Sequence, residues 1–187
     1  MTKSRLILNV PYHSQLNNRY NPSGSCNVTS AAMCIKYAYR KAGRDNGWKT
    51  KLSVDHPQLE DELYEVMLSK GWLRHSPYDI KKVINLYGVD STFSMAGSHK
   101  NVVEHLNSGN PIITHGYFTA FGHIIVIVGY DTDKRKYIIH DPYGEYFDRG
   151  YDTSRSGEFL EISYELMWHK CICHESQWWV HFIGGLI

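Results

Sequence analysis

Residues 122 to 131 read GHIIVIVGYD, and the unbroken apolar run Ile124 to Val128 restricts this chain more than any other stretch. A strand with one wet face alternates apolar and polar side chains, and this one does not. It therefore reads as a central strand buried on both faces, which needs other elements on either side of it. The next β segment, KYIIHDPY at 136 to 143, follows across the polar link DTDKRK, a connection short enough to make the two strands antiparallel neighbours. PIITHGYF (111–118) and WWVHFIGGL (178–186) supply further strands, and LILNV near the N-terminus is a short β run that ends at Pro11.

The first half reads differently. Val28, Ala31/Ala32, Ile35 and Ala38/Tyr39 recur at three-to-four spacing, which predicts a helix over 27 to 42, stopped by Gly43. A second helix is expected from Pro57 to Lys70, capped by Asp55 or His56 with Pro57 in its first position. Ser76-Pro77 opens a third that closes at Gly88, Ser98 opens a fourth through Leu106, and Ser163 caps a fifth. STFSM (91–95) is a strand, and 144 to 158 is a long surface loop. Helices first and antiparallel strands later, without regular βα alternation, give an α+β fold. Residues 1–187 read as a single domain, with the 27–42 helix covering one face of the central strand.

Twenty basic against nineteen acidic side chains, a formal charge of +1, give no electrostatic case for nucleic acid as a partner. Four cysteines are too few for a disulfide scaffold, and free thiols are expected. No run approaches the roughly 18 apolar residues that span a bilayer. The N-terminal residues lack the apolar core of a Sec signal, so the expected location is the cytoplasm, or the cell wall after lysis or export by a non-Sec route.

One cysteine is oddly placed. NPSGSCNVTS (21–30) sets Cys26 in a polar turn immediately before the first helix, where the unpaired amides and the positive end of the helix dipole favour a thiolate. Cys34, eight positions on, shares the helix with Ile35 and Ala38 and reads as packing. A thiolate nucleophile needs an imidazole beside it and a third group to orient that imidazole. His123 begins the central strand and Asp141 ends the next one. An antiparallel pairing would bring the two to the same end of the sheet, while His140 should point to the other face. Gln15, on the turn before the cysteine, is an uncharged donor suited to an oxyanion.

Four segments in this order, VPYHSQ (10–15), GSCNVTSAAMC (24–34), GHIIVIVGYD (122–131) and IIHDPYG (138–144), resemble the C39-like, bacteriocin-processing-like branch of the papain-like cysteine peptidases. The resemblance spans about residues 10 to 144 and implies a papain-like fold with a nucleophile helix packed on a central antiparallel sheet. It implies Cys26 as nucleophile, His123 as base, Asp141 as its orienting partner and Gln15 at the oxyanion. One departure is that Asn27-Val28 stands where the family usually has Gly-Pro. Asn27 can still start a helix, but the approach of substrate to the backbone is altered.

Gly24, Ser25, Asn27 and Tyr143 are the candidate substrate contacts, with Tyr146, Phe147, Tyr151 and the pair Trp178/Trp179 as possible groove walls. No cofactor or metal is expected. CICH (171–174) lacks the spacing of a zinc site, and Asp131 and Asp133, with Glu145 and Asp148 further on, lack that of a calcium loop, although surface loops leave weak calcium binding open. The expected partner is a peptide or peptidoglycan, so the enzyme is a cell-wall hydrolase of endolysin type or, alternatively, a protein-leader or general peptidase. Acyl transfer to another nucleophile and a catalytically silent binding or inhibitor module are the remaining readings. Oligomeric state is not legible.

Overall fold

A computed structural model describes residues 3–52, 56–147, 150–172 and 176–187. In chain order the elements are β1 (Arg5–Ile7), α1 (Cys26–Lys41), α2 (Leu59–Ser69), α3 (Pro77–Leu86), β2 (Val89–Ser94), α4 (His99–Asn107), β3 (Ile112–Gly116), β4 (His123–Asp131), β5 (Lys136–His140), β6 (Glu145–Phe147), β7 (Gly150–Asp152), β8 (Leu160–Ser163), α5 (Tyr164–Cys171) and β9 (Val180–Leu186).

The main sheet runs β2-β9-β3-β4-β5-β8, and every neighbouring pair is antiparallel. β4 is the strand that GHIIVIVGYD predicts, buried along its whole length. β3 pairs with its first half and β1 with its last residues, while β5 runs along its other edge. A bulge between Ile127 and Gly129 shifts the β4–β5 register, and a Cβ on Gly129 would lie 2.2 Å from the Leu6 carbonyl, so only glycine lets β1 approach there. α1 packs against β4 and β9, whereas α4 and α5 pack against β3 and, respectively, β4 and β5.

Capping sets most helix boundaries. Ser76 accepts from the Asp79 amide with Pro77 behind it, Ser98 forms a capping box with Asn101, and Ser163 accepts from the Leu166 amide. The second helix differs from expectation and begins at Leu59 rather than Pro57. Gln58 is extended and donates its side-chain amide to the Asn17 carbonyl, which holds the chain out of helical geometry. The proposed cap Asp55 lies outside the described residues, as do Cys173 and His174 of CICH and Asp148. The expected loop 144–158 contains a two-stranded ribbon, β6–β7, with Tyr146 opposite Tyr151 and their rings 5.1 Å apart. A cross-strand aromatic pair is enough to organise so short a hairpin.

Among the described residues no helix is long and apolar enough to cross a membrane, and no cluster of three or more His, Cys, Asp or Glu side chains is placed to hold a metal. Asp131 accepts from the Lys134 amide and sits 3.7 Å from Arg5, so it organises the β4–β5 hairpin.

His140 is fully buried, and both ring nitrogens have partners: Nε2 donates to the Val10 carbonyl and Nδ1 accepts from the Phe159 amide. That arrangement fits only the neutral ring, and burial lowers its pKa to about 4. As pH falls below about 6.5 the unfolded chain takes up a proton that the folded chain refuses until about pH 4. Stability is therefore expected to fall by about 3 kcal/mol across that window from this residue and to level off below it. Urea denaturation of wild type and His140→Gln between pH 7 and pH 4 checks this, with a flatter profile expected for the variant.

Candidate active site

The turn before α1 is braced from beneath. Asn21 takes a left-handed conformation and leads into the 3₁₀ turn Pro22–Gly24. Ser25 is fully buried, and its hydroxyl donates to the carbonyls of Tyr20 and Asn21. Arg74 donates to the Gly24 carbonyl at 2.6 Å, and the Asn27 side chain donates to the Arg74 carbonyl at 2.8 Å. Thr29 is the first α1 residue whose amide reaches a main-chain carbonyl, that of Ser25, so the amides of Cys26 and Asn27 lie in the unpaired first turn. The hydroxyl of Ser25, a candidate substrate contact by sequence, is thus turned inward to brace the turn.

Cys26 is half-buried at the head of α1 and opens onto a cleft of about 680 Å³. Gly24, Asn27, His123 and Tyr143 also line the cleft, as do His75, His115, Phe121 and Trp179. Antiparallel pairing of β4 with β5 brings the start of one strand to the end of the other. There His123 Nε2 lies 2.7 Å from Asp141 Oδ1, with both side chains buried. His123 also stands close enough to Cys26 to act on the thiol's pKa, and since Nε2 faces the carboxylate, Nδ1 is the nitrogen left for the thiol.

Burial acts to raise the Cys26 pKa, but the hydrogen bond and charge of His123, with help from the Ile124 amide, outweigh it and hold the thiol below its ordinary value. For His123 burial acts downward, and the charge and hydrogen bond of Asp141 overcome it to raise the ring to about 10. The two shifts run in the same sense, both favouring transfer of the Cys26 proton to the imidazole. Cys34 and Cys171, by contrast, are pushed well up by burial and stay thiols.

Asp141 is held by more than His123. The Tyr143 amide donates to Oδ1 at 2.9 Å and the Tyr151 hydroxyl to Oδ2 at 2.8 Å. Its backbone amide donates to the Gly157 carbonyl, and its carbonyl accepts from the Tyr12 hydroxyl, which in turn accepts from the Gly157 amide. A Cβ on Gly157 would fall 1.9 Å from the Asp141 carbonyl oxygen. Tyr12 belongs to VPYHSQ, and its role was hidden because a tyrosine just past a short β run carries no sign of its partner 129 residues away. Tyr151 is not a groove wall.

Gln15 is buried, with its amide nitrogen donating to the Pro22 carbonyl at 2.7 Å and its backbone amide to the Pro142 carbonyl. It lies beneath the turn that carries Cys26 and is not on the cleft wall. Trp178 is buried and donates to Thr114, while Trp179, next in sequence, lines the cleft. Strand alternation separates the two. Tyr146 packs edge-on against Phe118, and Phe147 is exposed.

Comparison with known proteins follows the same line. The profile described as Peptidase_C39 like family matches residues 7–172. The chain belongs to this family. Its members are peptidases of the cysteine class, and the fold agrees. A structure described as a C39-like peptidase from Bacillus anthracis superposes with a TM-score of 0.61 at 17% identity, over 98% of this chain and 99% of that one. Xylellain, a cysteine protease from Xylella fastidiosa, gives 0.57 at 13% identity over 100% and 88%. A double glycine motif protease from an AMS/PCAT transporter, solved with a leader peptide, gives 0.55 at 16% identity over 96% and 94%. Likeness at such identities establishes the papain-like fold. A search of curated proteins returns no match.

For this C39-like peptidase the electrostatics predict selective alkylation. Iodoacetamide at pH 6 should label Cys26 and leave Cys34 and Cys171 unmodified in the folded protein, as read by peptide mass spectrometry. His123→Ala should slow Cys26 labelling at pH 6 and leave it nearer normal at pH 9, where an ordinary thiol also ionises. A second expectation concerns Gly157→Ala, which must displace the Asp141 carbonyl and should lower both Tm and peptidase activity.

Proposed function

We propose that this C39-like peptidase hydrolyses peptide amide bonds with Cys26 as nucleophile, His123 as acid and base, and Asp141 as the group that holds the imidazole. The observation that carries this reading is the chain of contacts from Cys26 through His123 to a buried carboxylate, opening onto a cleft large enough for several residues of extended peptide. The Cys26 thiolate attacks the scissile carbonyl. The Cys26 amide at the head of α1 donates to the oxyanion, and the Gln15 Nε2 proton not held by Pro22 is the candidate second donor. Protonated His123 gives its proton to the leaving amine and then takes one from the water that cleaves the thioester. Asp141 keeps its hydrogen bond to the ring and holds its orientation.

For the substrate we put first the peptides of peptidoglycan. The support is an open cleft with aromatic side chains, Trp179, Tyr143 and Phe121, suited to stacking on the sugar and peptide planes of a wall fragment. A protein leader is the second reading, favoured by the fold shared with the double glycine motif protease that binds one.

Wild type, Cys26→Ala and His123→Ala should be incubated with purified peptidoglycan and, separately, with a set of leader-bearing proteins, followed by mass spectrometry of the released ends. Each variant is expected to remain folded and to lose at least about a thousandfold in rate. Undiminished hydrolysis by pure Cys26→Ala overturns the mechanism. Cleavage of leaders alone transfers the assignment to the second reading. If neither substrate is cut and Cys26 resists alkylation, the protein is a binding module on a peptidase fold. Activity is also expected to follow a bell in pH, with its alkaline limb near the His123 value of about 10.

A further inference from the structure

Asp141 is fully buried, yet its two oxygens are not held alike. Oδ1 accepts from His123 Nε2 and from the Tyr143 amide. The second of these bonds spans two residues of the same turn, so it moves with Asp141 and cannot fix the carboxylate against the rest of the molecule. Oδ2 faces the Tyr151 hydroxyl at 2.8 Å, across ten residues.

That hydroxyl is carried by the β6–β7 ribbon. Tyr151 sits on β7 opposite Tyr146, with its ring edge-on to Tyr143 at 5.0 Å and to His123 itself at 5.6 Å. The imidazole is thereby flanked by two tyrosine rings while the carboxylate behind it is pinned at both oxygens. Burial and the adjacent Asp141 charge push the Tyr151 phenol far above its ordinary range, so it is always the donor in this bond.

We propose that Tyr151 is a positioning residue for the reaction: its hydroxyl fixes the torsion of the Asp141 carboxylate and, through it, the plane of the His123 ring that faces Cys26. The proposal rests on the reading of Cys26, His123 and Asp141 given above. Without the hydroxyl, Oδ2 is a buried acceptor with one charge and no donor, and the carboxylate is free to turn toward any water or amide within reach. His123 then loses the fixed geometry on which proton transfer depends.

Tyr151→Phe keeps the ring and its three aromatic neighbours and removes only the donor. We expect kcat to fall roughly ten- to a hundredfold with KM within about twofold, the effect of a misplaced catalytic group on an intact cleft. The rate of Cys26 alkylation at pH 6 should fall as well, and its acid limb should move to higher pH, a readout that a merely structural tyrosine does not change. In an Asp141→Asn background the same substitution should add little. Glu145→Gln, on the same ribbon with its carboxylate turned to Arg155, should leave both profiles alone.

A Tyr151→Phe enzyme with wild-type kcat and an unmoved alkylation profile overturns the proposal. If that variant does not fold, 3,5-difluorotyrosine at position 151 keeps the shape and strengthens the donor, and an unchanged pH profile there overturns it equally. The two layers separate cleanly. Wild-type rates in Asp141→Asn and His123→Ala would sink the underlying triad, whereas collapse of those two with an unaffected Tyr151→Phe would sink only the role of Tyr151.

Discussion

A carboxylate with no access to water, Asp141 at the end of β5, is the constraint around which this structure is arranged. A buried charge is tolerated only when it is paired and hydrogen-bonded, and every nearby segment contributes to that end. β4 supplies His123, the turn after β5 supplies the Tyr143 amide, the β6–β7 ribbon supplies the Tyr151 hydroxyl, and the N-terminal segment supplies Tyr12 to the backbone. The same set of contacts ties the first dozen residues to the loop at 157, so the site and the closure of the chain have one cause. Gln15 joins this arrangement through its backbone amide, which donates a hydrogen bond to the Pro142 carbonyl.

The electrostatic consequence is directional. Asp141 raises His123 and His123 lowers Cys26, while the Asp141 charge by itself acts on the sulfur in the opposite sense. Neither step would survive in water, where a salt bridge of this kind contributes little. Burial of His123 and Asp141 makes the coupling strong, and the half-buried position of Cys26 leaves its end accessible to substrate. His140, beside Asp141 in sequence, lies in the opposite situation: its neighbours are a carbonyl and an amide, and burial keeps it neutral.

The departure from Gly-Pro after the cysteine has a physical account. Asn27 accepts the Val28 amide with its own side-chain oxygen and reaches the Arg74 carbonyl with its nitrogen, while Arg74 returns to the Gly24 carbonyl. Arg74 also stacks on Tyr64 at 4.2 Å. A polar network between the helix start and the 74–75 segment therefore holds the turn in which Cys26 sits, and it places Asn27 and His75 on the cleft wall. This part of the pocket is thus shaped by side chains whose partners are distant in sequence, and of Asn27, Arg74, His75 and Tyr64 only Asn27 drew attention beforehand.

The sequence by itself determined the buried central strand, its antiparallel neighbour across DTDKRK, the helices opened by Ser76, Ser98 and Ser163, and the position of Cys26 at a helix mouth. These are local matters of periodicity, capping and turn chemistry. It also carried the pairing of His123 with Asp141, because antiparallel neighbours joined by a short hairpin have their ends fixed together. What only the tertiary structure decided is which polar groups meet across long separations: Tyr151 on Asp141, Tyr12 on the Asp141 carbonyl, Ser25 turned inward, and Trp179 rather than Trp178 on the cleft. A hydrogen bond leaves no periodic trace in the chain, since its partners are chosen by the packing that removes them from water.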